Sequence, residues 1–168
     1  MVASTFGGSF DKLNHALQRT IITNLNLRKH RYCAALAGSR WPDVKVILVG
    51  DRPGPGAKKL PANHHHTPFY STKNSSLWLN KQLAELGVSE DELLWLNAYD
   101  MNGVPSQPCH IEGWNNPQII ALGGNAAKWL DQWPGKRYAK VYHPQAWKRF
   151  HASEPYPLIG LLQLALDL

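Results

Sequence analysis

Four short apolar runs punctuate this chain, and each ends in a small or polar residue at a turn. The first, residues 44–49, reads Val-Lys-Val-Ile-Leu-Val. It is β-branched and nearly uninterrupted, as expected of a strand buried on both faces. It runs into Gly50-Asp51-Arg52-Pro53-Gly54, a turn built from residues that break regular structure. Residues 93–96 form a second run ending at Asn97, and residues 118–122 a third ending in Gly123-Gly124-Asn125. Residues 138–142 form a fourth, ending at His143-Pro144. Between them the spacing turns helical. Leu13, Leu17, Ile21 and Ile22 predict a helix over about 11–24 with Asp11 in its first turn, and a second helix is predicted over about 28–37, closed by Gly38. Leu79, Leu83 and Leu86 mark one face of a helix capped near 74–76 and stopped by Gly87. A further helix is predicted from Asn125 to about Trp133, and an apolar one over 157–168.

Strands that alternate with helices imply a parallel sheet covered on both faces. The expected fold class is therefore α/β: a three-layer α/β/α sandwich with a central parallel sheet of about four strands. Its parts are N-terminal helices over 1–43, a core over 44–150 and a C-terminal helix over 157–168, all in one domain. Sheets of this kind bind ligands at the carboxyl ends of their strands. Those ends carry Asp51, Asn97, Gly123 and His143, so three polar groups are expected to converge on one crevice.

The formal net charge of +6 and pI of about 9.4 fit a polyanionic partner such as nucleic acid, without requiring one. Two cysteines, Cys33 and Cys109, lack the spacing of a thiolate metal site and suit a reducing compartment. Residues 1–8 lack a basic and apolar leader pattern, and no run reaches transmembrane length. The expectation is a cytoplasmic monomer with no membrane contact, no cofactor and no metal.

The turn residues also carry a resemblance. Gly50-Asp51-Arg52-Pro53-Gly54 resembles the first motif of the uracil-DNA glycosylase superfamily in its G-E-x-P-G form. Pro68-Phe69, followed by Leu77 and Asn80, resembles the segment that supplies a stacking aromatic. Leu94-Trp95-Leu96-Asn97 resembles the strand whose last residue reads the pyrimidine. Ile120-Ala121-Leu122-Gly123 with Ala126 resembles the next strand–helix turn, and Val141-Tyr142-His143-Pro144 the second catalytic motif. The matches run in the family's order over roughly residues 44–150, and they are specific together rather than singly.

The resemblance implies a DNA glycosylase that flips a uracil or related pyrimidine out of single- or double-stranded DNA and hydrolyses its glycosidic bond. On this reading Asp51 positions water, Phe69 stacks on the base, Asn97 reads its edge and His143 stabilises charge on the pyrimidine O2. Trp147 falls where the family places a wedge in the DNA, and Lys58, Lys59, Lys148 and Arg149 are candidate phosphate contacts. The residue types suit the chemistry. Bond cleavage builds negative charge on the base and positive charge on the sugar, which call for a donor and a carboxylate. Asn97 offers both the donor and the acceptor that match the O4 and N3–H edge of uracil.

The chain departs from the family pattern in several places. Two cysteines cannot form the four-cysteine iron–sulfur site common among members with this motif. The loop over 56–67 is long, basic and histidine-rich; Arg52 replaces a small or polar residue, and Gln145 a small hydroxyl residue. Gly54 stands where some members place a side chain that excludes a 5-methyl group, which implies tolerance of 5-substituted pyrimidines. Arg52 would then face a phosphate or acidic substituent at that edge. An enzyme that modifies such a base without removing it, and a catalytically silent DNA-binding or interaction protein, are the alternative readings.

Taken singly, Asp51, Asn97 and His143 also read as turn or strand-end caps, Phe69 as core and Trp147 as a surface aromatic. His64-His65-His66 reads as a solvated or phosphate-contacting loop, because neighbouring loop residues rarely face one ion. Phe6-Gly7-Gly8-Ser9-Phe10-Asp11 resembles the start of a nucleotidyltransferase signature. No strand precedes it, however, and only His15 follows, at the wrong spacing.

Overall fold

The computed structural model describes residues 10–53 and 67–168. Helices alternate with strands in the order α1 (His15–Leu36), β1 (Val46–Gly50), α2 (Asn74–Leu86), β2 (Leu93–Asn97), β3 (Gln118–Leu122), α3 (Gly124–Leu130), β4 (Tyr138–Val141), α4 (Pro144–His151) and α5 (Pro157–Ala165). The strands form one parallel sheet in the order β2-β1-β3-β4.

Alternation along each strand sorts the core into two layers. Ile47, Val49, Leu94, Leu96, Ile119 and Ala121 face Tyr32 and Ala35 of α1 and Ala126, Ala127 and Leu130 of α3. Val46, Leu48, Trp95, Ile120 and Leu122 face Leu79 and Leu83 of α2, Trp147 of α4 and Leu158 and Leu162 of α5. The sheet therefore carries helices on both faces, as the alternating pattern predicts. No helix of the described residues is long and apolar enough to cross a membrane.

Two features of the register set up the crevice. Gly50 lies opposite Asn97, and Leu122 opposite Val141, so the strands finish nearly level. The chain leaves β1 towards β2 through α2, but leaves β3 towards β4 through α3. β1 and β3 are neighbours whose connections depart in opposite directions, which opens a cleft between their carboxyl ends.

The two expected N-terminal helices are one. Its buried stripe is Ile21, Leu25, Arg28, Tyr32 and Ala35, a regular helical spacing with a charged residue at its centre. Arg28 breaks the apolar pattern in sequence, but it does not break the helix, since neither Gly nor Pro interrupts it. The helix starts later than expected, so Asp11 precedes its first turn, and Asn14 caps the N-terminus, its side chain accepting from the Leu17 N–H at 2.8 Å. The stop at Gly87 is as expected: its φ is +81°, and the N–H groups of Gly87 and Val88 close on Ala84 and Leu83. α4 was not anticipated. Pro144 takes its first position, where a missing N–H costs nothing, and the His143 ring caps it.

Arg28 is buried because it is paired. Its Nε and Nη2 meet the Glu90 carboxylate at 3.0 and 2.9 Å, and both side chains are about 1 % exposed. The Trp95 indole also donates to Glu90, at 3.0 Å, and the guanidinium lies 4.0 Å from the Trp95 ring. Nη1 donates to the carbonyls of Pro68 and Phe69, both at 3.3 Å. Breaking a buried ion pair strands the remaining charge, whereas replacing both partners with apolar residues is far less costly. Arg28→Met is expected to destabilise the fold by about 3–5 kcal/mol. Arg28→Met combined with Glu90→Leu is expected to recover much of that loss. Urea denaturation of both variants against the parent checks this, and a double variant no better than the single one would contradict it.

Candidate active site

Four of the predicted site residues gather at the carboxyl edge of the sheet. Asp51 follows β1, Asn97 ends β2 and His143 follows β4 by two residues. Phe69 sits over them, reached from the side by the turn that precedes α2. Its ring centroid is 5.5 Å from that of His143 and 5.9 Å from that of Trp95. A Cβ added at Gly50 would lie 3.3 Å from Phe69 Cε2 and 3.4 Å from Asn97 Oδ1, so the glycine keeps the space between ring and amide open. Gly123 plays the same part at the other end. A Cβ there would lie 3.1 Å from His143 Cβ, and its φ of +106° suits only glycine.

Phe69 is held in an uncommon backbone conformation, with φ +54°. For a bulky residue this is strained and persists only where surrounding contacts over-determine it. Those contacts are visible. The Phe69 carbonyl accepts from Asn80 Nδ2 at 2.9 Å and from Arg28 Nη1 at 3.3 Å, and Asn80 also donates to the Ser71 carbonyl at 3.2 Å. The ring itself is only half-buried. Arg28 and Glu90 were missed as site-supporting residues, because in sequence they look like ordinary surface charge.

His143 caps α4: its Nδ1 accepts from the Gln145 N–H at 3.1 Å. That bond assigns the proton of the neutral ring to Nε2. Burial pulls the His143 pKa below the usual imidazole value, opposed by the negative charge of Asp51. The ring is therefore neutral near pH 7. Asn97 is 6 % exposed, and its side chain is hydrogen-bonded with the Tyr32 hydroxyl. Burial pushes that hydroxyl up to about 12, so it stays protonated.

Asp51 is anchored from β3's side. Asn125 Nδ2 donates to its Oδ2 at 3.0 Å, across the cleft between β1 and β3. Its Oδ1 is buried without a hydrogen-bond donor among the described residues; Arg52 Nε lies 3.9 Å away. Arg52 thus turns back on Asp51, with its side chain about half exposed.

Trp147 does not stand where a DNA wedge would. It is buried in the core layer shared with α2 and α5, its indole donates to the Glu154 carbonyl at 3.2 Å and its ring stacks on His151 at 4.5 Å. The first turn of α4 rotates it inward, which sequence spacing alone could not show. Exposed aromatic surface on this segment belongs instead to Tyr142 and Phe150. Lys148 and Arg149 are exposed on α4. Gly54, Lys58, Lys59 and His64-His65-His66 lie outside the described residues, as do residues 6–9 of the nucleotidyltransferase-like stretch. Among the described residues, no group of three or more His, Cys, Asp and Glu is placed to hold a metal. A separate cleft of about 510 Å³ lies near the amino ends of β3 and β4, lined by Trp114, Gln118, Lys136, Arg137 and Tyr138 among others, and contains none of the predicted residues.

No protein-family model matches the chain, and no curated protein matches it.

The partly buried, neutral His143 links stability to pH. Its folded pKa lies below the unfolded value of about 6.5, so the unfolded chain binds the proton first as pH falls. Stability from this group is complete above about pH 6.5 and is lost as pH falls through that value towards the lower folded pKa. His143→Gln is expected to flatten this acid-side loss in unfolding curves taken between about pH 5 and 7. An unchanged slope would show that His143 is not held neutral by burial.

Proposed function

We propose that this protein is a DNA-base enzyme that hydrolyses uracil or a related pyrimidine from DNA, with Asp51 and His143 as its catalytic residues. The observation that supports this best is the convergence of Asp51, Phe69, Asn97 and His143 on one crevice at the strand ends. An acid, a stacking ring, an amide and a neutral imidazole there form a complete set for a flipped pyrimidine.

On this reading each residue has its own role. A base in a duplex must be extruded to be reached, and unpairing costs a few kcal/mol. The partly buried Phe69 ring offsets part of that by stacking, worth about 1–3 kcal/mol per base. Asn97 meets the base edge, with its amide steadied by Tyr32. His143 presents Nε2–H, so it donates a hydrogen bond to the pyrimidine O2 without giving up a proton. As the C1′–N1 bond breaks, its electron pair moves onto the base and is stabilised through that contact. The Asp51 carboxylate faces the cationic sugar and orients the water whose oxygen bonds to C1′; it takes up the proton that this water loses, and the departing base anion is protonated from solvent. Lys148 and Arg149 supply phosphate contacts, and Tyr142 replaces Trp147 as the exposed aromatic next to the site.

Incubation with uracil-containing DNA, followed by alkaline cleavage of abasic sites, tests the reading. Product is expected from the parent protein, and His143→Ala and Asp51→Ala are expected to lower turnover by about 10²-fold or more each, with DNA binding little changed. No product from the parent on uracil or 5-substituted uracils would overturn it. Binding is also expected to weaken steeply as salt rises, and Lys148→Ala with Arg149→Ala is expected to flatten that slope by about one to two counterions. Fluorescence titrations at several salt concentrations check this.

A further inference from the structure

Asn125 is the second residue of α3, and nothing in the family resemblance assigns it a role. It stands at the cleft between β1 and β3, where the chain directions diverge. Its amide is exposed, yet its Nδ2 is committed to Asp51 Oδ2 at 3.0 Å, a contact between residues 74 positions apart. The backbone arranges this contact. Gly123, at φ +106°, donates its N–H to the Val141 carbonyl at 2.8 Å and turns the chain sharply into α3, which carries Asn125 towards the end of β1.

The two oxygens of Asp51 are consequently unequal. Oδ2 accepts from Asn125. Oδ1 is buried with no hydrogen-bond donor among the described residues, although a guanidinium lies 3.9 Å away on the adjacent residue. A buried acceptor left open in this way calls for an explanation, and a reacting group is one. Arg52 competes for the same carboxylate. Its side chain is about half exposed, so a carboxylate free to rotate would follow it outward, where charged donors and water are plentiful.

We propose that Asn125 is the positioning residue for Asp51: it holds the carboxylate on the His143 side of the cleft and leaves Oδ1 as the oxygen that meets the reacting water or the sugar. The consequence for turnover rests on the glycosylase reading above; the placement of the carboxylate does not. Asn125 touches no reacting atom and acts only through Asp51.

His143 serves as the reporter, because Asp51 is the charged group that raises its basicity against the effect of burial. The imidazole is titrated by NMR in the parent, Asn125→Ala, Asp51→Asn and the double variant. Asp51→Asn is expected to lower the His143 midpoint. Asn125→Ala is expected to lower it by at least half as much, and adding it to Asp51→Asn is expected to change nothing further. Asn125→Ser, which keeps a donor, is expected to restore part of the shift. Since Asn125 is exposed, dispersed spectra are expected for every variant, and these confirm the fold.

In parallel, Asn125→Ala is expected to lower kcat on uracil-containing DNA with KM unchanged. A His143 midpoint that moves in Asp51→Asn but not in Asn125→Ala would overturn the proposal, as would a midpoint indifferent to both. If the parent shows no turnover while the midpoints move as described, the glycosylase reading fails and the positioning role stands.

Discussion

The buried pairing of Arg28 with Glu90 holds together parts of this fold that are remote in sequence. One guanidinium joins the middle of α1 to the turn before β2 through Glu90, and to the turn before α2 through the Pro68 and Phe69 carbonyls. The Trp95 indole shares the carboxylate and lies under the guanidinium. Such a pair is not retained for stability alone, because desolvating both charges cancels much of their attraction. It supplies direction. Apolar side chains in its place would fill the volume but would remove the Arg28 donor from the Pro68 carbonyl and one of the two donors, Arg28 and Asn80, from the Phe69 carbonyl. Arg28 and Asn80 together hold the positive-φ conformation of Phe69, which sets its ring over the crevice.

The crevice has its own division of labour. At the sheet edge the strand ends bring a carboxylate and an imidazole close together, and each conditions the other. Burial favours the neutral form of His143; the nearby Asp51 charge works against this but does not reverse it. The Gln145 N–H then decides which ring nitrogen carries the proton. The helix cap and the proposed catalytic donor are thus the same side chain, with no conflict between the two roles: capping uses Nδ1 and leaves Nε2 free. Tyr32 stands behind Asn97, and Asn125 beside Asp51, in a similar supporting relation.

Much of the fold was legible in the chain. Period-2 and uninterrupted apolar runs are set by local burial, so the four strands appear within a residue or two of where the pattern puts them. Gly87 ends α2 because only a residue free of a Cβ penalty closes a helix that way. The positions of Asp51, Asn97 and His143 at strand ends follow from the same pattern. That they share one edge follows from the parallel connections.

Other features depend on atoms that are distant in sequence. Arg28 stands at the start of the second of two helices expected from the sequence, and nothing local shows that it lies buried in the middle of one helix, because its partner is 62 residues away. Trp147 reads as a wedge, but the rotation set by α4 turns it into the core, where its indole finds the Glu154 carbonyl. The bond between Asn125 and Asp51 has no signal in either segment. Hydrophobic periodicity is a local property and is written along the chain. Which buried polar groups pair, and which way a side chain faces once its helix has docked, are settled only when the layers close. Desolvation then makes every unmet donor and acceptor costly. By itself the sequence determined the α/β order and the list of residues at the strand ends. The tertiary structure alone decided which of them meet, and which neighbours hold them in place.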